Sequence, residues 1–189
     1  MAAFEDRVIR LFEQIHPLDR VDRAGYVLRG VPDPESVSAH SHFVALLTLL
    51  FVDEYPELFD RERALTMALI HDLPEAILMD IPVPACDGEF RVAKHHAEQA
   101  ILEQLMRGFP EKYAEFHRDL CEGRTPEAKL VRALDKAQMM LKIIMYQKEG
   151  CGRLSEFWVN ARNFEDYGCQ PVSDLFNALC AVAGKPRPC

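Results

Sequence analysis

The sequence predicts an all-α fold, a helical bundle formed by a single domain. Apolar residues recur every three or four positions along most of the chain, which is the period of an amphipathic helix. Prolines, glycines and capping residues between these stretches divide them into helices of ordinary length. No stretch makes a convincing strand. At 189 residues the chain is long enough to bury about two thirds of its unfolded surface.

The first two predicted helices lie on either side of an irregular segment. An apolar face over residues 4–15 indicates the first helix, which ends before a proline. Residues 21–35 contain two glycines and two prolines, so we expect an irregular loop there. Ser36 or Ser38 can cap the second helix, which runs to about Glu54.

The third predicted helix ends on a His-Asp pair. Asp60 can cap this helix, and its apolar residues continue up to His71 and Asp72. Two alternating prolines within residues 81–88 then favour a stiff, extended conformation. A fourth helix is predicted over about 90–107, where a glycine stops it.

The last third of the chain is also predicted to be helical. After a shorter helix, Thr125-Pro126-Glu127 supplies a cap, a proline at the first helical position and a first-turn acid. The helix that they open continues to Gln147. Ser155 and Ser173 are predicted to cap two shorter helices, and residues 184–189 to form a frayed tail. We expect one domain over 1–189, with a core at about 21–149 and C-terminal helices at 153–183.

The composition limits the classes of function. A hydrophobic content of 49% and a charged content of 28% are typical of a soluble globular protein. The net charge of −8 argues against binding to nucleic acid polymers or to an anionic membrane surface. The longest apolar stretch, residues 43–52, is far too short to span a bilayer. The acidic N-terminus and six cysteines without Cys-x-x-Cys spacing predict a cytoplasmic protein with reduced thiols.

Four residues on three predicted helices form a candidate metal site. His40 lies near the start of the second helix, His71 and Asp72 at the end of the third, and Asp135 within the longest. Helices of a bundle can bring such side chains together in its core. Two imidazoles and two carboxylates form a mixed N/O set that suits a divalent metal. Taken alone, each residue also has an ordinary explanation as a polar core or surface residue.

Five segments carry a resemblance to a known family, and they occur in the family's order. They are Arg23–Tyr26 (RAGY), Pro34–Ser41 (PESVSAHS), His71–Ala76 (HDLPEA), Asp80–Pro82 (DIP) and Glu127–Lys136 (EAKLVRALDK). Together they resemble the HD-domain metal-dependent phosphohydrolases, specifically the branch of small 5′-deoxynucleotidases. The resemblance covers about residues 23–146, which is most of the chain.

The resemblance implies roles for the candidate metal ligands and for one further carboxylate. His40, His71, Asp72 and Asp135 would bind one divalent ion, which could be Mn, Co, Fe, Zn or Mg. Such an ion lowers the pKa of bound water and neutralises charge on the phosphoryl group. Glu75, three residues after Asp72, would do acid–base work, so Glu75 and Asp72 are the predicted catalytic residues.

The resemblance also implies a set of substrate-binding residues. Arg23 matches a phosphate-binding arginine, whose guanidinium fork suits two phosphate oxygens. Asp80 matches a carboxylate that faces the sugar of the nucleotide. Tyr26 stands where relatives usually carry a Trp associated with selecting 2′-deoxyribose. The predicted wall beside Asp80 consists of Ile81, Pro82, Val83 and Pro84.

Other positions depart from the family pattern. Met79 replaces a common Gly, and Cys86 stands where some relatives place a phosphate-contacting Lys. Gln138, Met145 and Gln147 stand where many relatives have Glu. Those carboxylates can help to hold a second ion, so their replacement puts a second ion in question. The departures leave the base, the sugar and the pathway open.

The favoured hypothesis is hydrolysis of a (deoxy)nucleoside 5′-monophosphate, or of a modified nucleotide, to nucleoside and phosphate. The alternatives are an HD-type phosphodiesterase or polyphosphate hydrolase, and a non-catalytic nucleotide-binding protein with a structural metal. A two-iron oxidative enzyme is less favoured, because it would need extra ligands such as His95 or His96. Those two histidines are expected on a solvated helix face. The resemblance also implies a homodimer.

Overall fold

The computed structural model describes residues 3–82 and 88–188. Within these ranges every regular element is a helix, which confirms the predicted all-α class. The α-helices are α1 (Phe4–Ile15), α2 (Ala24–Val27), α3 (Val37–Glu54), α4 (Arg61–Ile70), α5 (Glu75–Leu78), α6 (Gly88–Leu105), α7 (Lys112–Glu122), α8 (Pro126–Lys148) and α9 (Gln170–Ala183). Short 3₁₀ helices cover His16–Arg20, Ser155–Trp158 and Ala161–Phe164.

Side-chain caps set the starts of the three helices that carry the predicted metal ligands. Ser36, Asp60 and Thr125 each accept a hydrogen bond from the backbone N–H three residues further on. Each cap satisfies a backbone donor that the first helical turn leaves without a partner. Pro126 fills the first position of α8, where its missing N–H costs nothing. The predictions for these three helix starts are confirmed.

The C-terminal part differs from the prediction at three points. Ser155 lies inside a 3₁₀ helix and makes no capping hydrogen bond. Ser173 is not a cap either, because α9 begins three residues earlier, where Pro171 suits the first turn. The predicted frayed tail is also wrong for Arg187, whose guanidinium donates to the Asp166 carboxylate and to the Ser173 hydroxyl. These bonds hold the tail against α9.

Two smaller differences concern the first half of the chain. The predicted irregular segment 21–35 contains one helical turn, α2, which begins directly after Arg23. Helix α6 is displaced by two residues from its predicted range. The predicted extended conformation at 81–88 falls mostly on residues outside those that the structure describes.

Helix α8 is the centre of the bundle. It packs against α3, α4, α7 and α9, and it is buried on most of its circumference. Leu130, Leu134 and Met140 are fully buried in the largest apolar cluster, which also includes Phe176 of α9. Burial of such side chains is the main stabilising contribution to a helical fold. A polar residue on α8 therefore projects into the interior at a fixed position.

The turn between α4 and α5 presents the His-Asp pair. Helix α4 is buried through Met67, Ala68 and Ile70, and the chain leaves the helix at His71. Helix α5 starts only four residues later, so the turn is held at both ends. No helix in residues 3–82 or 88–188 is both long and apolar enough to cross a membrane.

Candidate metal centre and active site

The structure brings the four predicted metal ligands together. The Nε2 atom of His40 lies 3.1 Å from Oδ1 of Asp135 and 3.6 Å from Oδ2 of Asp72. The Nε2 atom of His71 lies 3.2 Å from Oδ2 of Asp72 and 3.4 Å from Nε2 of His40. The ligands come from α3, from the turn after α4 and from α8, so three separate parts of the sequence meet here.

Hydrogen bonds to Nδ1 of His40 and of His71 determine which ring nitrogen carries the proton in the neutral imidazole. Gln138 donates from Nε2 to both carboxylate oxygens of Glu35, at 3.2 and 3.0 Å. Its Oε1 therefore faces Nδ1 of His40 at 2.6 Å and accepts the Nδ1 proton. Nδ1 of His71 donates to the carbonyl of Ala68 at 2.8 Å. In the neutral form of each ring, Nε2 therefore presents a lone pair towards the carboxylates, as ligand histidines do.

The centre is built to hold positive charge. Burial alone would raise the pKa of Asp72, but His71, His40 and Arg23 outweigh it and hold that pKa below its usual range. Burial lowers the pKa of His71, yet Asp72 and Asp135 raise it further than burial lowers it. Among the described residues the buried Oδ2 of Asp72 has no hydrogen-bond donor. A divalent cation satisfies that oxygen and both lone pairs, so the residues present fit such an ion.

Glu75 lies in the same cavity as Asp72. It is only 4% exposed, which argues against the alternative of a surface residue after Pro74. Burial raises its pKa to about 9, with Asp72 and Asp80 adding to the effect. Its Oε1 lies 3.6 Å from Nζ of Lys94. The side chain is therefore a buried acid beside the candidate metal ligands.

Arg23 stands among three carboxylates. Its guanidinium nitrogens lie 3.6 Å from Asp72, 3.5 Å from Asp80 and 3.8 Å from Asp135. Burial alone would lower the pKa of Arg23, but the three carboxylates raise it by more, so the net pKa is raised. Oδ2 of Asp80 accepts a 2.6 Å hydrogen bond from the backbone N–H of Ala24. In this structure Asp80 thus holds both the first residue of α2 and the side chain of Arg23, which directly precedes that helix.

The site opens into a cavity of about 530 Å³, a size that suits a small organic ligand. Tyr26 lines it but is 2% exposed, and its hydroxyl donates to the carbonyl of Met139. The predicted residues Val83 and Pro84, and also Cys86, lie outside the described residues. The predicted residues that do line the cavity are Arg23, Tyr26, Asp72, Glu75, Asp80, Ile81, Pro82 and Asp135.

Two lysines in this cavity were missed by the sequence reasoning. Nζ of Lys94 lies between Glu75 and Glu98, 3.0 Å from the latter. Nζ of Lys136 lies 3.2 Å from Asp135. Lys136 directly follows a predicted ligand, which is a usable signal, whereas nothing in the charged stretch around Lys94 distinguishes it from surface lysines.

The remaining histidines differ in their surroundings. His95 and His96 are exposed, as expected for a solvated helix face, and His42 is exposed as well. His117 is instead fully buried in α7, where Nδ1 contacts Oε1 of Gln99 at 2.9 Å. The sequence signal that could have predicted this burial is the position of His117 on the apolar side of α7.

Comparison with known proteins identifies the family. The model of the HD domain family matches residues 15–165. This chain belongs to the HD domain family. The protein named 5′-deoxynucleotidase HDDC2 from Bos taurus is 34% identical over 157 residues, which cover 80% of this chain and 74% of that protein. The Xenopus laevis protein of the same name is 33% identical, with coverages of 80% and 76%.

A solved structure of similar sequence has the same fold. The PH0347 protein from Pyrococcus horikoshii is 32% identical, superposes with a TM-score of 0.79, and covers 92% of this chain and 99% of its own. The HD domain implies a divalent metal, and His40, His71 and Asp72 form a group that could hold one. The resemblance inferred from the sequence motifs is confirmed.

Proposed function

We propose that this HD domain is a metal-dependent phosphomonoesterase that hydrolyses (deoxy)nucleoside 5′-monophosphates, or a modified nucleotide, to nucleoside and phosphate. One observation carries the proposal: Asp72 and Asp135, two of the converging ligands, line one cavity with a buried acid, Glu75, and with Arg23. The relatives named 5′-deoxynucleotidase support a nucleotide as substrate.

In this proposal His40, His71, Asp72 and Asp135 hold one divalent cation. When bound, the ion supplies Lewis acidity and offsets the charge of the phosphate. Its identity is left among Mn, Co, Fe, Zn and Mg, because N/O ligand sets accept all of them to some degree. The chain supplies the remaining groups from Arg23, directly before α2, and from α5, α6 and α8.

Cationic side chains would orient the phosphate. Arg23 presents a planar fork that matches two phosphate oxygens, and it is held in place by Asp80. Lys94 and Lys136 line the same cavity and add further positive charge. A bound phosphate would replace part of the carboxylate pairing that these three cations make in the structure.

Glu75 would carry the proton in the reaction. Attack of water on phosphorus breaks the P–O5′ bond, so one proton must leave the water and one must reach the leaving oxygen. A buried carboxyl group whose pKa is raised can exchange a proton near neutral pH. Lys94, 3.6 Å away, stabilises its ionised form.

Release of inorganic phosphate from a panel of ribo- and deoxyribonucleotides, measured with each of the five metals, tests the activity. Glu75→Gln should lower turnover at least about a hundredfold, with nucleotide binding retained. Glu57→Gln, on an exposed residue outside the cavity, is the matched control and should keep full turnover. Absence of phosphate from every nucleotide refutes a monoesterase, and a mass spectrum showing cleaved diesters or shortened polyphosphates instead supports the alternative hydrolases.

We further propose that the chain acts as one domain, with its core at about 21–149 and C-terminal helices at 153–183, and as a cytoplasmic homodimer. Phe43, Leu46 and Leu50 support a dimer, because they lie exposed along one side of α3. Light scattering should give twice the monomer mass for the wild type and the monomer mass for Leu50→Glu. A monomeric wild type would contradict the dimer.

A further inference from the structure

A second group of metal-ligating side chains lies between α6 and α7, apart from the predicted HD ligands. His95 and Glu98 are neighbours on α6, and Cys121 is near the end of α7. One donor atom from each, a nitrogen, an oxygen and a sulfur, lies within 4.8 Å of the other two. Nδ1 of His95 is already 3.2 Å from Oε2 of Glu98.

We propose that His95, Glu98 and Cys121 form a second metal site, which takes a divalent transition metal of the zinc and cobalt class. Imidazole, carboxylate and thiolate are all common zinc ligands, and three of them leave the fourth tetrahedral position to water. The carboxylate and the thiolate together carry two negative charges, which match the charge of the ion. A sulfur ligand favours these metals over magnesium.

The contacts of Glu98 leave one oxygen for the ion. Its Oε1 pairs with Nζ of Lys94 at 3.0 Å, while Oε2 is the oxygen that faces His95. A metal on Oε2 therefore leaves the lysine pair in place. Because Lys94 also lies 3.6 Å from Glu75, this one lysine joins the second site to the candidate active site.

The position of Cys121 is fixed by its backbone. Its carbonyl accepts a 3.1 Å hydrogen bond from the guanidinium of Arg132, which holds the end of α7 against α8. Burial raises the pKa of the thiol to about 12, so the sulfur is protonated at neutral pH. Metal binding breaks the S–H bond, forms the S–metal bond and releases the proton to solvent.

There is room for the ion and its water. A cavity of about 370 Å³ is lined by the three ligands and reaches His71 and Asp72. His117 also lines it, with Nδ1 3.8 Å from the sulfur of Cys121. That nitrogen is committed to Gln99, so His117 is left out of the ligand set.

Cobalt titration of the reduced, full-length protein tests the proposal. The predicted HD ligands contain no sulfur, so a thiolate-to-cobalt charge-transfer band reports the second site alone. The wild type should bind two equivalents and develop this band with one of them. Cys121→Ser should abolish the band, whereas Cys151→Ser, on a half-buried cysteine outside the cluster, should keep it. His95→Ala, at an exposed position that folding tolerates, should weaken cobalt binding at the second site at least about tenfold.

The outcomes separate this proposal from the proposed function. Asp135→Asn should lose the equivalent of cobalt that binds at the predicted HD ligands and should keep the charge-transfer band. Cys121→Ser should still release phosphate from the nucleotide substrate. A wild type that binds one equivalent without the band overturns the second site, and so does a band that survives Cys121→Ser. Neither result bears on hydrolysis, which the phosphate assay measures separately.

Discussion

At the residue scale, the orientation of His40 depends on a buried polar chain. The Glu35 carboxylate orients the amide of Gln138, and the amide in turn orients the imidazole. All three side chains are buried, so each hydrogen bond is strong and its loss is costly. Glu35 carries no metal-ligand signature in the sequence, although it affects the metal centre through two hydrogen bonds.

Gln138→Leu should weaken metal binding by about 10- to 100-fold, because His40 loses the acceptor that fixes its tautomer. Competition with a chelator of known affinity measures the change. Gln147→Leu is the matched control on the same helix, since the Gln147 side chain accepts a hydrogen bond from Trp158 and lies away from the centre. Equal metal affinities for the wild type and Gln138→Leu would contradict this role.

Glu75 should make the stability of the metal-free protein depend on pH. Its pKa of about 9 in the folded state exceeds its ordinary value of 4.5, so the folded state binds its proton more tightly. The stabilisation that this proton confers is complete below about pH 4.5 and is lost as the pH rises towards 9. Glu75→Gln has no such proton to lose.

With a chelator present, urea unfolding of the two proteins at about pH 5 and pH 9 gives the comparison. The free energies of unfolding should be similar at the lower pH, and Glu75→Gln should be the more stable protein at the higher pH. A difference that does not change with pH would show that Glu75 is not held protonated by its surroundings.

At the element scale, the end of α5 carries backbone strain. Met79 has φ 65° and ψ 167°, a conformation that is almost restricted to glycine. Its side chain is 54% exposed, so it gains little from burial in return. The unusual conformation turns the chain directly before Asp80, which contacts Arg23 in the candidate active site. The sequence showed only that a bulky residue replaces the family's glycine.

Met79→Gly should stabilise the protein by about 1 kcal/mol, because glycine adopts this conformation without a Cβ clash. Thermal unfolding measures the gain. Met79→Ala separates backbone strain from side-chain loss, since it removes the exposed side chain and keeps the Cβ. If alanine and glycine raise the melting temperature equally, strain at this residue is not the cause.

At the scale of the whole molecule, the metal centre joins parts of the chain that are distant in sequence. Asp135 on α8 and His40 on α3 are 95 residues apart, and both face the turn after α4. A cation held by all three elements would bind only to the folded state. Its binding free energy would therefore add to the stability of the fold.

Removal of the metal should lower the melting temperature. Adding the metal back at 100 times its dissociation constant should raise the free energy of unfolding by about 2.7 kcal/mol. Asp135→Asn should lose most of this metal-dependent stabilisation. Asp174→Asn, at an exposed position on α9, is the control and should keep it. A metal-dependent shift that is unchanged in Asp135→Asn would argue that the ion binds elsewhere.

The sequence by itself determined the helical class, the caps of α3, α4 and α8, and the order of the motifs, because these depend on local periodicity and on residues a few positions apart. It also predicted the four candidate metal ligands that the structure brings together. Only the tertiary structure decided that Lys94 enters the cavity, that His117 is buried and that Glu35 orients His40 through Gln138. Those facts depend on which helix faces meet, and that packing is set by contacts between residues far apart in the chain.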